Sequence, residues 1–233
     1  MAGRGSRLIG HQGDIPKPFL MVGGRPMLAW AMKSLENVAY SQIVIIMLRE
    51  HAEKYGVENH LEQLSDERQK LILLDHVTEG QLCTVLAARD LINTDEDVLV
   101  SSSDTYVVSN LAQDIISRHK ECHGIISVAN QPGDRWSFVR TDDTGRVIEV
   151  AEKHRISNHA STGMYYFSNG RELVNTAEEM IEKQEKTRGE YYVIPVYQKY
   201  IERRWQVATS VAQEMWDMGT PDALTMFEKH LRE

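Results

Sequence analysis

Residues 42–48 (QIVIIML), 70–74, 97–101 (DVLVS) and 124–129 (GIISVA) are continuous apolar runs and read as strands covered on both faces. Between them, 26–37, 50–64, 81–92 and 111–120 repeat apolar positions at helical spacing, the first with Pro26 in its opening turn. This alternation predicts parallel strands joined by crossover helices. Past Pro132 the texture changes. The short alternating segments 137–141, 147–150 and 162–167 read as strands, with a hairpin turn at Thr144-Gly145 and a polar stretch from 154 to 160. Helices are predicted at 171–186 and 193–203, a strand at 206–210, and a last helix behind Thr220-Pro221, with Thr220 as its cap and Pro221 at its first position. The sequence holds no repeat, low-complexity tract or linker.

At 233 residues, with 42% hydrophobic and 26% charged residues, the chain is long enough to bury a substantial core. A net charge of -8 argues against wholesale nucleic-acid binding, so any recognition of phosphate rests on local cations, with Arg7, Lys17 and Lys153 as the candidates. No apolar run approaches the roughly 18 residues of a membrane span, and the start lacks the basic-then-apolar pattern of a signal peptide. The expected setting is the cytoplasm, without a membrane partner. Cys83 and Cys122 are too few and too far apart for a disulfide framework or a metal site, and the nine histidines lack ligand spacing. Assembly into a homo-oligomer stays open.

The candidate chemistry begins at MAGRGSR and Pro16-Lys17-Pro18. Gly3 and Gly5 flank a single residue, which lets a turn bring N–H groups against phosphate oxygens where a Cβ would obstruct; Arg7 and Lys17 add charge that the backbone lacks. By itself Gly-x-Gly equally marks a basic, flexible terminus. Asp104 stands at the carboxyl end of the 97–101 strand, where open parallel sheets bind ligands, and either holds magnesium or caps the following turn or helix. A second carboxylate, Asp217, precedes Gly219 in WDMGTP, a segment that also reads simply as a capped helix start. Glu152-Lys153 closes the run 147–151. It is either a surface ion pair or an acceptor site, with Lys153 on a phosphate and Glu152 accepting from a hydroxyl. Trp136 and Phe138 read as hairpin core or as stacking surfaces.

MAGRGSR, IPKPFLMVGGRPML, the helix after TEGQ, the strand-end Asp104, VIEVAEK, STGMYYF, GEYYV and WDMGTPDAL follow one another in a familiar order. Over nearly its whole length the chain resembles the sugar-1-phosphate nucleotidyltransferases, or nucleoside-diphosphate-sugar pyrophosphorylases. The resemblance implies an α/β fold of GT-A-like, Rossmann-like type, with a mixed, mainly parallel sheet flanked by helices and an inserted β-hairpin acceptor region. It implies one domain, with a nucleotide-binding half over 1–130 and an acceptor-binding half over 131–233. The implied reaction is the magnesium-dependent condensation of a nucleoside triphosphate with a sugar 1-phosphate, giving pyrophosphate and a nucleotide-sugar for polysaccharide biosynthesis. On this mapping Ala2, Gly3, Gly5 and Ser6 cradle the nucleotide, and Arg7 stabilises the departing pyrophosphate. Lys17 neutralises the α-phosphoryl transition state. Gly80 and Gln81 lie where the base is read, Glu152, Lys153, Thr162 and Gly163 line the acceptor side, and Asp104 and Asp217 coordinate Mg2+.

The chain also departs from the family. Its members place a buried strand directly before the glycine-rich loop, and this chain starts at the loop, so the expectation is a strand upstream in the native protein. Ser103 stands where glycine is common before the strand-end Asp, and His154 where proline is common after Glu-Lys. Two other readings follow. One is a cytidylyltransferase acting on a non-sugar phosphate or phosphonate such as phosphocholine. The other is a catalytically silent nucleotide-sugar-binding regulator, against which the retention of Arg7, Lys17, Asp104, Lys153 and Asp217 argues. Gln81 can hydrogen-bond several bases and names none.

Overall fold

The computed structural model describes residues 15–55, 68–118 and 121–232. The loop residues Ala2, Gly3, Gly5, Ser6 and Arg7 lie outside the described residues. A 3-10 turn, Lys17–Phe19, starts from Pro16, and its Pro18 and Phe19 are buried. A tight ladder of β1 (Met21–Val22) and β2 (Arg25–Pro26) leads into α1 (Met27–Lys33). Pro26 caps α1 with ψ at 144° instead of lying in its first turn, and the Met27 amide donates to the Leu20 carbonyl at 2.9 Å. β3 (Ile43–Leu48) and β4 (Gln69–Leu74) run parallel, in register from Ile43 with Gln69 to Leu48 with Leu74. Between them lies α2 (Arg49–Tyr55), and residues 56–64 of the helix expected over 50–64 lie outside the described residues.

The helix expected over 81–92 is two pieces, α3 (Gln81–Leu86) and α4 (Arg89–Ile92), because Ala88 leaves helical backbone at φ -95° and ψ 12°. Then come β5 (Val98–Ser101), β6 (Thr105–Val108), α5 (Leu111–Arg118), β7 (Gly124–Ala129), β8 (Ser137–Thr141), β9 (Val147–Glu152) and β10 (His159–Phe167). The chain continues through α6 (Gly170–Glu182), α7 (Pro195–Glu202), β11 (Val207–Val211), β12 (Glu214–Asp217) and α8 (Pro221–His230). Asn169 caps α6 by accepting from the Glu172 amide, and Thr220 caps α8 by accepting from Ala223 at 3.3 Å, with Pro221 leading the helix as the sequence indicated.

A six-stranded sheet runs in the order β11-β7-β10-β8-β9, with β5 also paired to β10. β7 is parallel to β11, while β10 is antiparallel to β5, β7 and β8. The run expected as a parallel strand at 97–101 therefore pairs antiparallel among the described residues. An apolar run specifies burial, and burial is the same for either direction. β10 also begins earlier than expected, inside the polar stretch, because His159 and Ala160 pair with Val139 and Phe138. The β8–β9 hairpin turns at Asp142–Arg146, where Asp142 Oδ1 accepts from the Thr144 and Arg146 amides at 2.9 and 3.1 Å.

The chain folds as two compact units. The first comprises the described residues up to Thr78, Ser102–Tyr106 and those from Trp216 onward. Leu20, Val22, Met27, Trp30, Met218, Leu224 and Phe227 form one core there, and Phe19, Leu28, Met47 and Ala52 a second. The other unit comprises Glu79–Ser101 and the described residues of Val107–Met215. Its core packs Ile126, Val128 and Tyr165 of the sheet against Leu173 and Ala177 of α6 and Tyr197 and Tyr200 of α7. Among the described residues no helix is long and apolar enough to cross a membrane.

Candidate active site

In the first unit the two prolines around Lys17 present its side chain from a short turn that Phe19 and Leu20 anchor in the core. Lys17 Nζ donates to Asp104 Oδ2 at 2.5 Å, with the two side chains 19% and 33% exposed. The Asp104 carbonyl accepts from the Met218 amide at 2.8 Å, which draws the segment carrying Asp217 alongside. Asp217 Oδ1 accepts from the Gly219 amide at 3.1 Å. A methyl group on Gly219 would lie 2.8 Å from Asp217 Oδ1 and 3.3 Å from Lys17 Nζ, so the glycine sits where the carboxylate and the ammonium converge. Lys17, Asp104 and Asp217, singled out from distant parts of the sequence, form one cluster.

Aromatic packing supports both carboxylates from below. Tyr106, two residues after Asp104, lies 5.3 Å from the Trp30 ring and 5.8 Å from Phe227, and Trp216, next to Asp217, stacks on Phe227 at 5.5 Å. Each such pair contributes about 0.5–1.5 kcal/mol beyond its buried area. Asp104 Oδ2 is engaged by Lys17, and the next helix, α5, has its Leu111 amide bonded to Ser109 Oγ at 3.4 Å, so Asp104 is not the cap of that helix. The helix-start reading of WDMGTP holds for Thr220 and Pro221 and leaves Asp217 to the cluster. Among the described residues no group of three His, Cys, Asp or Glu side chains is arranged to hold a metal. Asp104 and Asp217 are the hard carboxylates here that could hold magnesium, which takes one or two protein carboxylates and completes its shell with water and phosphate oxygens.

In the second unit Glu152 ends β9 and Lys153 follows with a left-handed backbone at φ 52°. That conformation is held from both sides: the Lys153 amide donates to the Trp136 carbonyl at 2.9 Å, and Arg188 Nη2 donates to the Lys153 carbonyl at 2.9 Å. Lys153 Nζ donates to Tyr192 Oη and lies 4.4 Å from the centre of its ring. Ser137 Oγ donates to Glu152, its cross-strand partner. Burial pushes the Glu152 carboxyl above its ordinary range, opposed by the Ser137 hydrogen bond and the charges of Lys153 and Arg188. The surface ion-pair reading is thus replaced by a half-buried carboxylate and a lysine tied to a tyrosine. Thr162 and Gly163 lie in β10 where its register against β7 shifts; the Gly163 amide donates to Ser161 Oγ at 3.1 Å, and Thr162 Oγ1 is buried without a hydrogen-bond partner among the described residues.

Gly80 precedes α3 at φ 140°, and a methyl group there would lie 2.3 Å from the Tyr191 carbonyl oxygen, so only glycine fits. The Tyr191 amide donates to Glu79 O at 2.9 Å and the Leu82 amide to Tyr191 O at 3.0 Å, which fixes the turn that starts Gln81. The GEYYV segment therefore braces two sites at once, Gly80-Gln81 through Tyr191 and Lys153 through Tyr192. Sequence reasoning left Arg188, Tyr192, Ser137, Ser161 and Tyr165 without roles. Tyr192 lay in GEYYV and Ser161 and Tyr165 in STGMYYF, each one motif in the order of motifs, whereas Arg188 and Ser137 carried no signal. Phe138 is fully buried and belongs to the hairpin core, and the Trp136 indole donates to the Pro132 carbonyl at 2.9 Å.

Lys17 on its turn and Asp104 and Asp217 beside strand ends form a lysine–carboxylate cluster of a kind that could engage phosphates. The nucleotidyl transferase family model matches residues 1–233, and the chain belongs to that family. It is 28% identical over 238 residues to the bifunctional protein GlmU of Thermotoga maritima, with 99% of this chain and 50% of the relative covered. The chain spans about half the length of the GlmU relatives it matches. UTP–glucose-1-phosphate uridylyltransferase AglF of Haloferax volcanii is 26% identical over 244 residues, covering 100% of this chain and 94% of the relative. Among solved structures, the nucleoside-diphosphate-sugar pyrophosphorylase of Vibrio cholerae RC9 superposes with a TM-score of 0.83 at 25% identity, over 100% of this chain and 98% of that one. The Rossmann-like α/β class expected from the sequence is the fold these proteins share.

Proposed function

We propose that the protein transfers a nucleotidyl group from a nucleoside triphosphate to a sugar 1-phosphate, with magnesium, releasing pyrophosphate and a nucleotide-sugar for glycan synthesis. The observation that carries this reading is the convergence of Lys17, Asp104 and Asp217 around Gly219 in a chain of the nucleotidyl transferase family. An oxygen of the acceptor phosphate attacks the α-phosphorus in line. A new P–O bond forms as the bond to the β-phosphate oxygen breaks, so positioning and charge neutralisation carry the rate and no covalent nucleophile is needed.

Lys17 neutralises the charge that grows on the α-phosphoryl oxygens in the transition state. Asp104 and Asp217 would hold magnesium, which when bound would supply charge screening for the phosphates. Arg7 and the loop of Ala2, Gly3, Gly5 and Ser6 are assigned to the triphosphate and the departing pyrophosphate. Gly80 and Gln81 take the base. Lys153 takes the acceptor phosphate, Glu152 accepts from an acceptor hydroxyl, and Thr162 and Gly163 border the same acceptor.

Pyrophosphate release tests this, measured with magnesium across the common nucleoside triphosphates against several sugar 1-phosphates and phosphocholine. A single productive pair with a sugar 1-phosphate is expected. Turnover with CTP and phosphocholine alone would transfer the site to the cytidylyltransferase reading, and silence from folded protein would favour a nucleotide-sugar-binding regulator.

A further inference from the structure

Glu152 and Lys153 carry opposite charges on adjacent residues, yet neither side chain bonds to the other among the described residues. Each is held elsewhere. Ser137 Oγ donates to Glu152 Oε2, and Lys153 Nζ donates to Tyr192 Oη while lying 4.4 Å from the centre of the Tyr192 ring. The backbone helps to separate them. Successive side chains of a strand alternate between its faces, and Lys153 leaves β9 with a left-handed φ of 52°, which breaks that alternation where the strand ends. Hydrogen bonds from the Lys153 amide to the Trp136 carbonyl and from Arg188 Nη2 to the Lys153 carbonyl, both 2.9 Å, hold this conformation. A tyrosine suits an ammonium because it attracts a cation twice, through the face of its ring and through its phenol oxygen, without carrying a charge. Burial, joined by Glu190 and Glu152, pushes the Tyr192 phenol further above its ordinary range, so it stays neutral.

We infer that Tyr192 is a positioning residue that keeps the Lys153 ammonium off Glu152 and presents it to the phosphate of an anionic acceptor. The inference rests on the assignment of Lys153 to the acceptor phosphate. The separation of the two charges stands on the geometry. An ammonium paired with Glu152 would have to leave that carboxylate before it met a phosphate, and the carboxylate would be occupied by the ammonium instead of a hydroxyl. A phenol competes less. It is neutral, whereas an incoming phosphate adds the attraction of opposite charges, so the phosphate displaces the phenol oxygen and leaves the ring face against the lysine. Ser137 plays the matching part at Glu152, since its hydroxyl satisfies the carboxylate without neutralising it.

The test reads the Lys153 side-chain resonances of the full chain by proton–carbon NMR, assigned by their loss in Lys153→Met, alongside acceptor kinetics. Protons over an aromatic ring resonate upfield of those in an unstacked lysine. This shift is expected in wild type and in Tyr192→Phe, which keeps the ring, and should be absent in Tyr192→Leu. Tyr192→Leu should raise the acceptor KM about tenfold with kcat and the triphosphate KM little changed, while Tyr192→Phe stays within about threefold of wild type. In Lys153→Met, which already lacks the ammonium, adding Tyr192→Leu should change the acceptor KM by less than about twofold, because the tyrosine acts through the lysine. Lys153 resonances at ordinary positions in wild type overturn the inference whatever the Tyr192 variants do. So does a double variant whose KM rises by the full factor again, which would show that Tyr192 meets the acceptor itself or supports the fold. If no acceptor is turned over while the ring shift is present and is lost in Tyr192→Leu, the assignment of Lys153 falls and the hold of the tyrosine on the lysine stands. If transfer proceeds and the shift is absent, that hold falls alone.

Discussion

Lys17, the group proposed to neutralise the transition state, illustrates how surroundings prepare a side chain for such a role. Two prolines and a buried phenylalanine fix its backbone, and Asp104 holds its ammonium in place before any substrate arrives. Lys17→Ala is expected to lower kcat by a factor on the order of 10² to 10³ with little change in the triphosphate KM, since the charge it meets grows only in the transition state. Steady-state kinetics decide this: equal weakening of nucleotide binding at constant kcat would assign Lys17 to the ground state. Glu152 behaves oppositely in stability. Its carboxyl is raised in the folded protein, so the stability it contributes is fully present below the ordinary value of 4.5 and is lost as pH rises through the raised one. At pH 7 Glu152→Gln should therefore melt no lower than wild type while binding acceptor more weakly. A marked drop in its melting temperature would contradict the burial account.

Elements carry the site into position, and here the sequence was legible in proportion to how local the cause was. The cap at Thr220 with Pro221, the hairpin turn at Thr144-Gly145 and the strands at 43–48 and 124–129 are set by residues adjacent in the chain, and all were readable. The direction of β5, the break at Ala88 and the early start of β10 depend on partners far away, and nothing local announced them. Phe227 of α8 touches both Tyr106 and Trp216, the supports of the two carboxylates. Phe227→Ala should cost about 3–5 kcal/mol in urea unfolding and lower magnesium-dependent turnover together with it. Gly80→Ala, with its methyl driven into the Tyr191 carbonyl, should cost about 1–3 kcal/mol and weaken discrimination among bases, read from triphosphate KM values. Unchanged stability in Gly80→Ala would show that the turn relaxes and that Tyr191 does not define it.

Across the whole molecule, the family was legible because several short motifs occur in one order, although each alone is weak. The cluster of Lys17, Asp104 and Asp217 was legible for the same reason, since three residues separated by up to two hundred positions meet only in the fold. The bracing of Lys153 by Arg188 and Tyr192, and of Glu152 by Ser137, was not. The contacts of Arg188 and Ser137 arise from ordinary surface and strand residues whose sequence neighbourhoods carry no chemical signature, and Tyr192 was visible only as part of the GEYYV motif. The most direct measurement is phosphorus-31 NMR of a magnesium reaction containing the productive triphosphate and sugar 1-phosphate, run with wild-type protein and with Asp104→Asn. The account predicts that the triphosphate resonances give way to a diphosphate ester and pyrophosphate with wild type, and that both products are nearly absent with a folded Asp104→Asn. Equal product from the two proteins would contradict the cluster as the seat of transfer, and release of inorganic phosphate in place of pyrophosphate would contradict nucleotidyl transfer itself.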